Sequence, residues 1–264
     1  MLRGKDRLIV ALDVPTVDEA LRLVDTLDNV SFFKIGLQLF LTGGLPRLLQ
    51  SLSQKQVFVD LKVPGDIANT IAAVVDVCVT GNVTFLTLSE SMPPPAIKAA
   101  TMARQARGSE RPKFLTVPYL SSLDASDLPL VASGERDLDH VILKRGRAAI
   151  EAGCDGLIVS GQAIGLCRAA FPRPTIIVSP GIRLAGATSD DHKRHCTPAE
   201  AIRLGADYLV VGRPIRSAPD PREAARGIIT EIDQTLDDLE LSGRSADTGG
   251  PAAQTSSRPR VSQP

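Results

Sequence analysis

Charged side chains stand inside or at the ends of several otherwise apolar runs of this sequence, and they alternate in sign. Asp13 follows LIVAL at 8–12, Lys34 lies within FFKIGL at 32–37, and Asp60 and Lys62 end the run VFVDLK, with Asp66 just beyond. Charges buried in apolar surroundings are costly unless they pair. In Asp60-Leu61-Lys62 the two charged residues are i and i+2, which on a strand point to one face. The carboxylate and the ammonium therefore converge on one volume, and Lys34 can join them. Such an array holds its lysines protonated and its aspartates ionised. It places a proton donor, Lys62, beside a fixed negative charge. That chemistry suits protonating or stabilising a carbanion, and it disfavours a substrate carboxylate in a way that favours its loss. For any one of these residues a structural ion pair is an equally good reading. For the whole alternating set it is a poor one.

A second constellation points to an anion. Ser179-Pro180-Gly181-Ile182-Arg183 and Val211-Gly212-Arg213-Pro214 each follow an apolar run. Glycines there let backbone N–H groups approach a phosphate, and the arginines add charge-assisted hydrogen bonds.

The elements that must position these residues are legible as eight short apolar runs, at 8–12, 32–37, 57–61, 84–88, 113–117, 156–160, 175–179 and 208–212. Each is too apolar for a half-exposed strand and fits one buried on both faces, as in a parallel sheet. Helical spacing lies between them. Thr16 is placed to cap a helix from Val17, and 66–79 puts Ile67, Ile71, Val74 and Val75 on one stripe. Ala148, Ala149 and Ala152 group within 145–152, and Thr197-Pro198-Ala199-Glu200 has the pattern of a capping box. Eight β-α units in about 240 residues predict a single (β/α)8 TIM barrel over 1–240, of α/β class. An open doubly wound sheet is the alternative, and neither a G-x-G-x-x-G nor a Walker-type loop supports it. In a barrel, phosphate characteristically binds after strands seven and eight. The Ser-, Gly- and Pro-rich stretch at 241–264 predicts a disordered tail.

Composition narrows the partners. The 264 residues carry 30 basic and 30 acidic side chains, so no global field attracts nucleic acid or an anionic membrane. Aromatics are 3% and Trp is absent, against stacking platforms for single strands. The apolar run at 8–12 is too short for a signal sequence or a membrane span. Cys78, Cys154, Cys167 and Cys196 form no C-x-x-C, so reduced thiols in a cytoplasmic protein are expected. His192, His195 and Cys196 lack partners at ligand-like spacing, so no metal site is expected.

The segments ALD at 11–13, FFKIG, FVDLK followed by DIANT at 66–70, SPGIR, TPAEAI at 197–202 and GADYLVVGRPI at 205–215 together resemble the orotidine 5'-phosphate decarboxylase family. The resemblance runs from about Arg7 to Leu239. It implies a homodimeric (β/α)8 barrel that needs neither metal nor organic cofactor and converts orotidine 5'-phosphate to UMP in pyrimidine biosynthesis. It implies Lys62 as proton donor to C6, Asp60 against the departing carboxylate, Lys34 paired with Asp60 and the ribose, and Asp13 on a ribose hydroxyl. Asp66, Ile67 and Thr70 would reach into the partner's site. Ser121 and Ser122 would contact the base, and Arg183, Gly212 and Arg213 would grip the phosphate.

The sequence departs from the family's pattern in four places. Val63-Pro64-Gly65 puts three residues, not two, between Lys62 and Asp66, and a Pro-Gly turn can absorb the extra one. Strand four ends in Thr87-Leu88-Ser89-Glu90-Ser91 without the usual His. Ala185 and His192 occupy positions where Gln is common, and His192 keeps the capacity to donate to phosphate. Two other readings are a metal-assisted keto-sugar-phosphate decarboxylase or aldolase, with Glu90 as the one additional carboxylate, and an inactive nucleotide-binding barrel.

Overall fold

In the computed structural model of the chain, eight parallel strands close into a barrel in sequence order. They are β1 Leu8–Ala11, β2 Phe32–Gly36, β3 Gln56–Val63, β4 Phe85–Leu88, β5 Lys113–Thr116, β6 Gly156–Ile158, β7 Ile176–Ser179 and β8 Tyr208–Val211. Each of the eight apolar runs becomes one strand. The structure describes residues 2–63, 70–89, 91–128, 137–184 and 195–247, with side chains as far as 242.

Strand parity sorts the core into two shells. Ile9 and Ala11, Phe32, Phe58, Phe85, Leu115 and Val117, Ile158, Val178 and Val210 face inward and form one cluster. Their neighbours, such as Val10, Phe33, Val59, Leu86 and Val211, face outward and pack under the helices. This is why the runs read as continuously apolar: both faces are buried. The inner shell is a packed core, not a pore. Phe32, Phe58, Phe85 and Tyr208 stack within it, ring centroids 5.1–5.9 Å apart.

Local signals set several helix ends. The Thr16 hydroxyl accepts from the Glu19 N–H at the start of the helix Val17–Thr26. Thr197 and Glu200 form the reciprocal capping box that opens Pro198–Arg203. Helix Leu138–Ala152 stops at Gly153, whose φ of 113° is a left-handed conformation that glycine adopts without a Cβ penalty. Of the stripe expected over 66–79, Ile71 and Val75 are buried in the helix Thr70–Thr80, while Ile67 lies outside the described residues.

The final helix, Pro221–Asp247, buries Ala225, Ile228, Ile232 and Leu236 at helical spacing. It runs past the boundary expected at 240. Ser242, Arg244, Ser245 and Ala246 have adequate helix propensity to extend a helix already nucleated by packing, and one glycine does not stop it. The remainder of the expected tail lies outside the described residues. At the N-terminal ends of the strands, Arg104 meets Asp155 at 2.7 Å and Arg168 meets Asp207, both mostly buried. That end of a barrel serves stability. All four cysteines are buried and none is in a disulfide, and burial pushes the thiols of Cys78 and Cys154 up to about 12. No helix among the described residues is long and apolar enough to cross a membrane.

Candidate active site

Moving two residues along each strand from the inner shell leads to the barrel's C-terminal mouth. Ala11 leads to Asp13, Phe32 to Lys34, Phe58 to Asp60 and Phe85 to Thr87. Parity therefore aims polar residues of four adjacent strands, three of them charged, into one space. Lys34 Nζ lies 3.0 Å from Asp13 Oδ1 and 3.4 Å from Asp60 Oδ2. Lys62 Nζ lies 3.0 Å from Asp60 Oδ1, and the Thr87 hydroxyl donates to the same oxygen at 2.8 Å. Gly36 makes room for this array: a Cβ there would stand 3.1 Å from Asp13 Oδ1 and 3.4 Å from Lys34 Nζ.

Burial by itself would lower the Lys34 ammonium. The carboxylates of Asp60 and Asp13 outweigh it and hold the ammonium above its ordinary range. Burial likewise opposes ionisation of Asp60, but Lys34, Lys62 and the Thr87 hydroxyl hold its carboxyl below the usual carboxylate range. The Lys34 and Asp60 side chains are only 10% and 14% exposed, whereas Lys62 is 43% exposed. Lys62 is thus the cation of the array that reaches open space. It gets there by a route the regular strand pattern does not foresee. The ladder between β3 and β4 shifts register between Val59 and Val63, and Lys62 sits at φ +50°.

The array lines one side of a cavity of about 420 Å³, large enough for a small organic ligand. The lining that follows β7 and β8, next to β1 around the barrel, is cationic: Arg183, Arg213 and Arg216 line it with Pro180, Gly181 and Gly212. Gly181 has φ +75°, which fits glycine at the turn after β7. The Arg183 N–H donates to the Cys196 carbonyl at 3.0 Å, and a parallel bridge joins Ile182 to Cys196, anchoring the base of this loop. Between the two charged sides lies an uncharged stretch from β5 and β6: Val117, Tyr119, Leu120, Ser121, Ile158 and Ser160. Among the described residues no three His, Cys, Asp or Glu side chains converge as a metal site would require.

The model of the orotidine 5'-phosphate decarboxylase / HUMPS family matches residues 6–228. The chain belongs to that family. A curated relative named orotidine 5'-phosphate decarboxylase, from Rhodopseudomonas palustris (strain BisB5), is 46% identical over 235 residues, 87% of this chain and 96% of that one. Another of the same name, from Methylococcus capsulatus, is 42% identical over 86% of this chain and 92% of its own. The crystal structure of orotidine 5'-phosphate decarboxylase from Lactobacillus acidophilus superposes with a TM-score of 0.74 at 29% identity, covering 86% of this chain and all of that one.

Of the residues singled out in the sequence, the structure brings Asp13, Lys34, Asp60, Lys62, Ser121, Arg183, Gly212 and Arg213 to this family barrel's one mouth. Ser122 is exposed beside Ser121 and does not line the cavity, and Thr70 is exposed at the start of its helix. Asp66, Ile67 and His192 lie outside the described residues, as do Glu90 and Ala185. Three lining or supporting residues went unmarked in the sequence: Thr87, Ser160 and Arg216. Parity was the available signal for the first two, at i+2 from Phe85 and Ile158. The Ser160 hydroxyl is buried with no hydrogen-bond partner among the described residues.

Proposed function

We propose that the protein decarboxylates orotidine 5'-phosphate to UMP, the activity its relatives are named for. The observation that carries the reading is the ionised Asp60 held 3.0 Å from Lys62 in a cavity whose lining after β7 and β8 is cationic. A substrate with a phosphate at one end and a carboxylate at the other spans that arrangement. Arg183, Arg213 and the Gly212 N–H would take the phosphate, and Asp13 and Lys34 the ribose hydroxyls. Ser121 would meet the base on the uncharged strands, joined by Ser122 if the loop after β5 closes over it. The C6 carboxylate then lies against Asp60. Breakage of the bond from C6 to the carboxylate carbon releases carbon dioxide and leaves the electron pair on C6. Lys62 donates its proton to C6, and the resulting amine, open to solvent, regains a proton from water. Preorganised positive charge beside the developing carbanion lowers the barrier without reorganisation. The scheme draws on no metal or organic cofactor.

We further infer a homodimer in which Asp66, Ile67 and Thr70 of each subunit complete the other's site. The resemblance of DIANT supports it, as does the short helix Leu37–Leu41, which leaves the mouth at Gly36 and exposes Leu37, Phe40 and Leu41. His192 is assigned to the phosphate loop on the same resemblance. The test is spectrophotometric: loss of orotidine 5'-phosphate absorbance, measured on chelator-treated protein. Turnover that survives chelation supports the reading. Turnover only with added magnesium would favour the metal-assisted chemistry, and UMP binding without turnover an inactive barrel.

A further inference from the structure

The mouth holds a guanidinium that the proposed scheme does not use. Arg213 and Arg216 begin and end a single helical turn directly after β8. Residues three apart share a helix face, and both line the cavity. Two like charges so placed repel unless an anion lies between them. Arg216 is half-buried, and among the described residues its side chain makes no hydrogen bond or ion pair. The acidic residues that follow it in the chain are engaged elsewhere. Asp220 accepts from the Glu223 N–H at 2.9 Å, and Glu223 pairs with Arg226 at 2.6 Å.

Charge balance in the cavity points the same way. Among the described residues its lining carries five cations, Lys34, Lys62, Arg183, Arg213 and Arg216, against two carboxylates, Asp13 and Asp60. Both carboxylates are already bound to lysines. Among the described residues the excess is three positive charges, and Arg216 is one of them. A phosphate monoester contributes about −1.5 to −2 at neutral pH, and a carboxylate a further −1. A ligand carrying both groups offsets all three of these charges when its phosphate is fully ionised.

We propose that Arg216 is a substrate-binding residue that grips the phosphate together with Arg213. This inference rests on the phosphate-bearing substrate proposed above. The test compares wild type, Arg216→Gln and Arg216→Lys in titrations with UMP, uridine and inorganic phosphate, alongside wild-type turnover of orotidine 5'-phosphate. Loss of one charge-assisted bond predicts about tenfold weaker UMP binding in Arg216→Gln. Inorganic phosphate should weaken in step, uridine should stay within twofold, and Arg216→Lys should recover part of the loss. Unchanged UMP and phosphate binding would overturn the proposal, because Arg216 would then point to solvent. An equal loss for uridine would also overturn it, because the residue would be shaping the pocket rather than holding phosphate. The two readings fail separately. If wild type does not turn over orotidine 5'-phosphate but the phosphate contrast holds, the anion site stands and the substrate assignment falls.

Discussion

Lys62 Nζ lies 3.0 Å from Asp60 Oδ1, and the backbone at Lys62 is turned to φ +50° to bring it there. For a residue with a Cβ the left-handed region costs about 1–2 kcal/mol. The fold holds the ammonium in place against the local preference of its own backbone, as functional sites do.

Replacing Lys62 separates these two effects. Lys62→Ala should lose well over the roughly 100- to 10,000-fold of a general acid alone, because the ammonium also opposes carbanion charge. The fold should survive, since the side chain is 43% exposed. Lys62→Gly should be equally inactive yet more stable than Lys62→Ala by about 1 kcal/mol in denaturant unfolding, because glycine accepts positive φ. More than a tenth of wild-type turnover in either variant would remove Lys62 from the chemistry.

Asp60 and Lys34 fix the pH range of the array. Asp60, held below the ordinary carboxylate value, contributes stability that is present above about pH 4 and lost as pH falls through its own lower value. Lys34, held above the ordinary amine value, contributes stability present below about pH 10 and lost as pH rises further. Asp60→Asn should therefore cost about 3–5 kcal/mol at pH 7, the effect of removing one partner of a buried pair. Its deficit relative to wild type should be flat from about pH 5 to 9 and narrow below pH 4. A deficit that does not change at low pH would mean the carboxylate is not held ionised by its neighbours.

Arg213→Ala should weaken UMP by about 1.5–3 kcal/mol, one charge-assisted hydrogen bond. Because remote binding energy is spent at the reacting centre, kcat/KM should fall as well, and kcat with it if the phosphate drives closure. Unchanged UMP affinity would move the phosphate elsewhere.

Asp66 tests the shared site. Lys62→Ala and Asp66→Ala should each be inactive, and mixing them should restore partial activity. In a two-fold dimer each subunit lends the same residue to the other, so a hybrid holds one intact site. No recovery after demonstrated subunit exchange would confine Asp66 to its own chain.

Gly156 guards the barrel rather than the chemistry. A Cβ there would lie 2.3 Å from the Ile176 carbonyl oxygen and 2.9 Å from Leu115 Cδ2. Gly156→Ala should destabilise by about 1–3 kcal/mol, the cost of overpacking, with KM unchanged in the folded fraction. A melting temperature equal to wild type would show that β6 and β7 can part without strain.

Much of this architecture could be read from sequence because its causes are local. Strands buried on both faces must be continuously apolar, so the eight runs announced the eight strands. Thr16 and Thr197 carry their capping partners within three residues. Asp13, Lys34 and Asp60 stood out because charge is rare in such runs. Thr87 did not, since threonine is an ordinary strand residue and only the pairing of β4 with β3 brings it to Asp60. Arg216 was hidden for a related reason: its role depends on where the turn after β8 points. The bulge at Lys62 was illegible because non-glycine residues carry no local mark of positive φ. The last helix outran its expected end because composition measures what a segment can bury, not how far a packed helix propagates.

The four rings of Phe32, Phe58, Phe85 and Tyr208 make the barrel a vessel with a sealed base. Nothing drains through it. On the proposed scheme, carbon dioxide freed beside Asp60 would leave by the doorway through which the nucleotide entered. Gas and nucleotide would then share one corridor, and the proposed phosphate grip at the rim would set the order in which they vacate it.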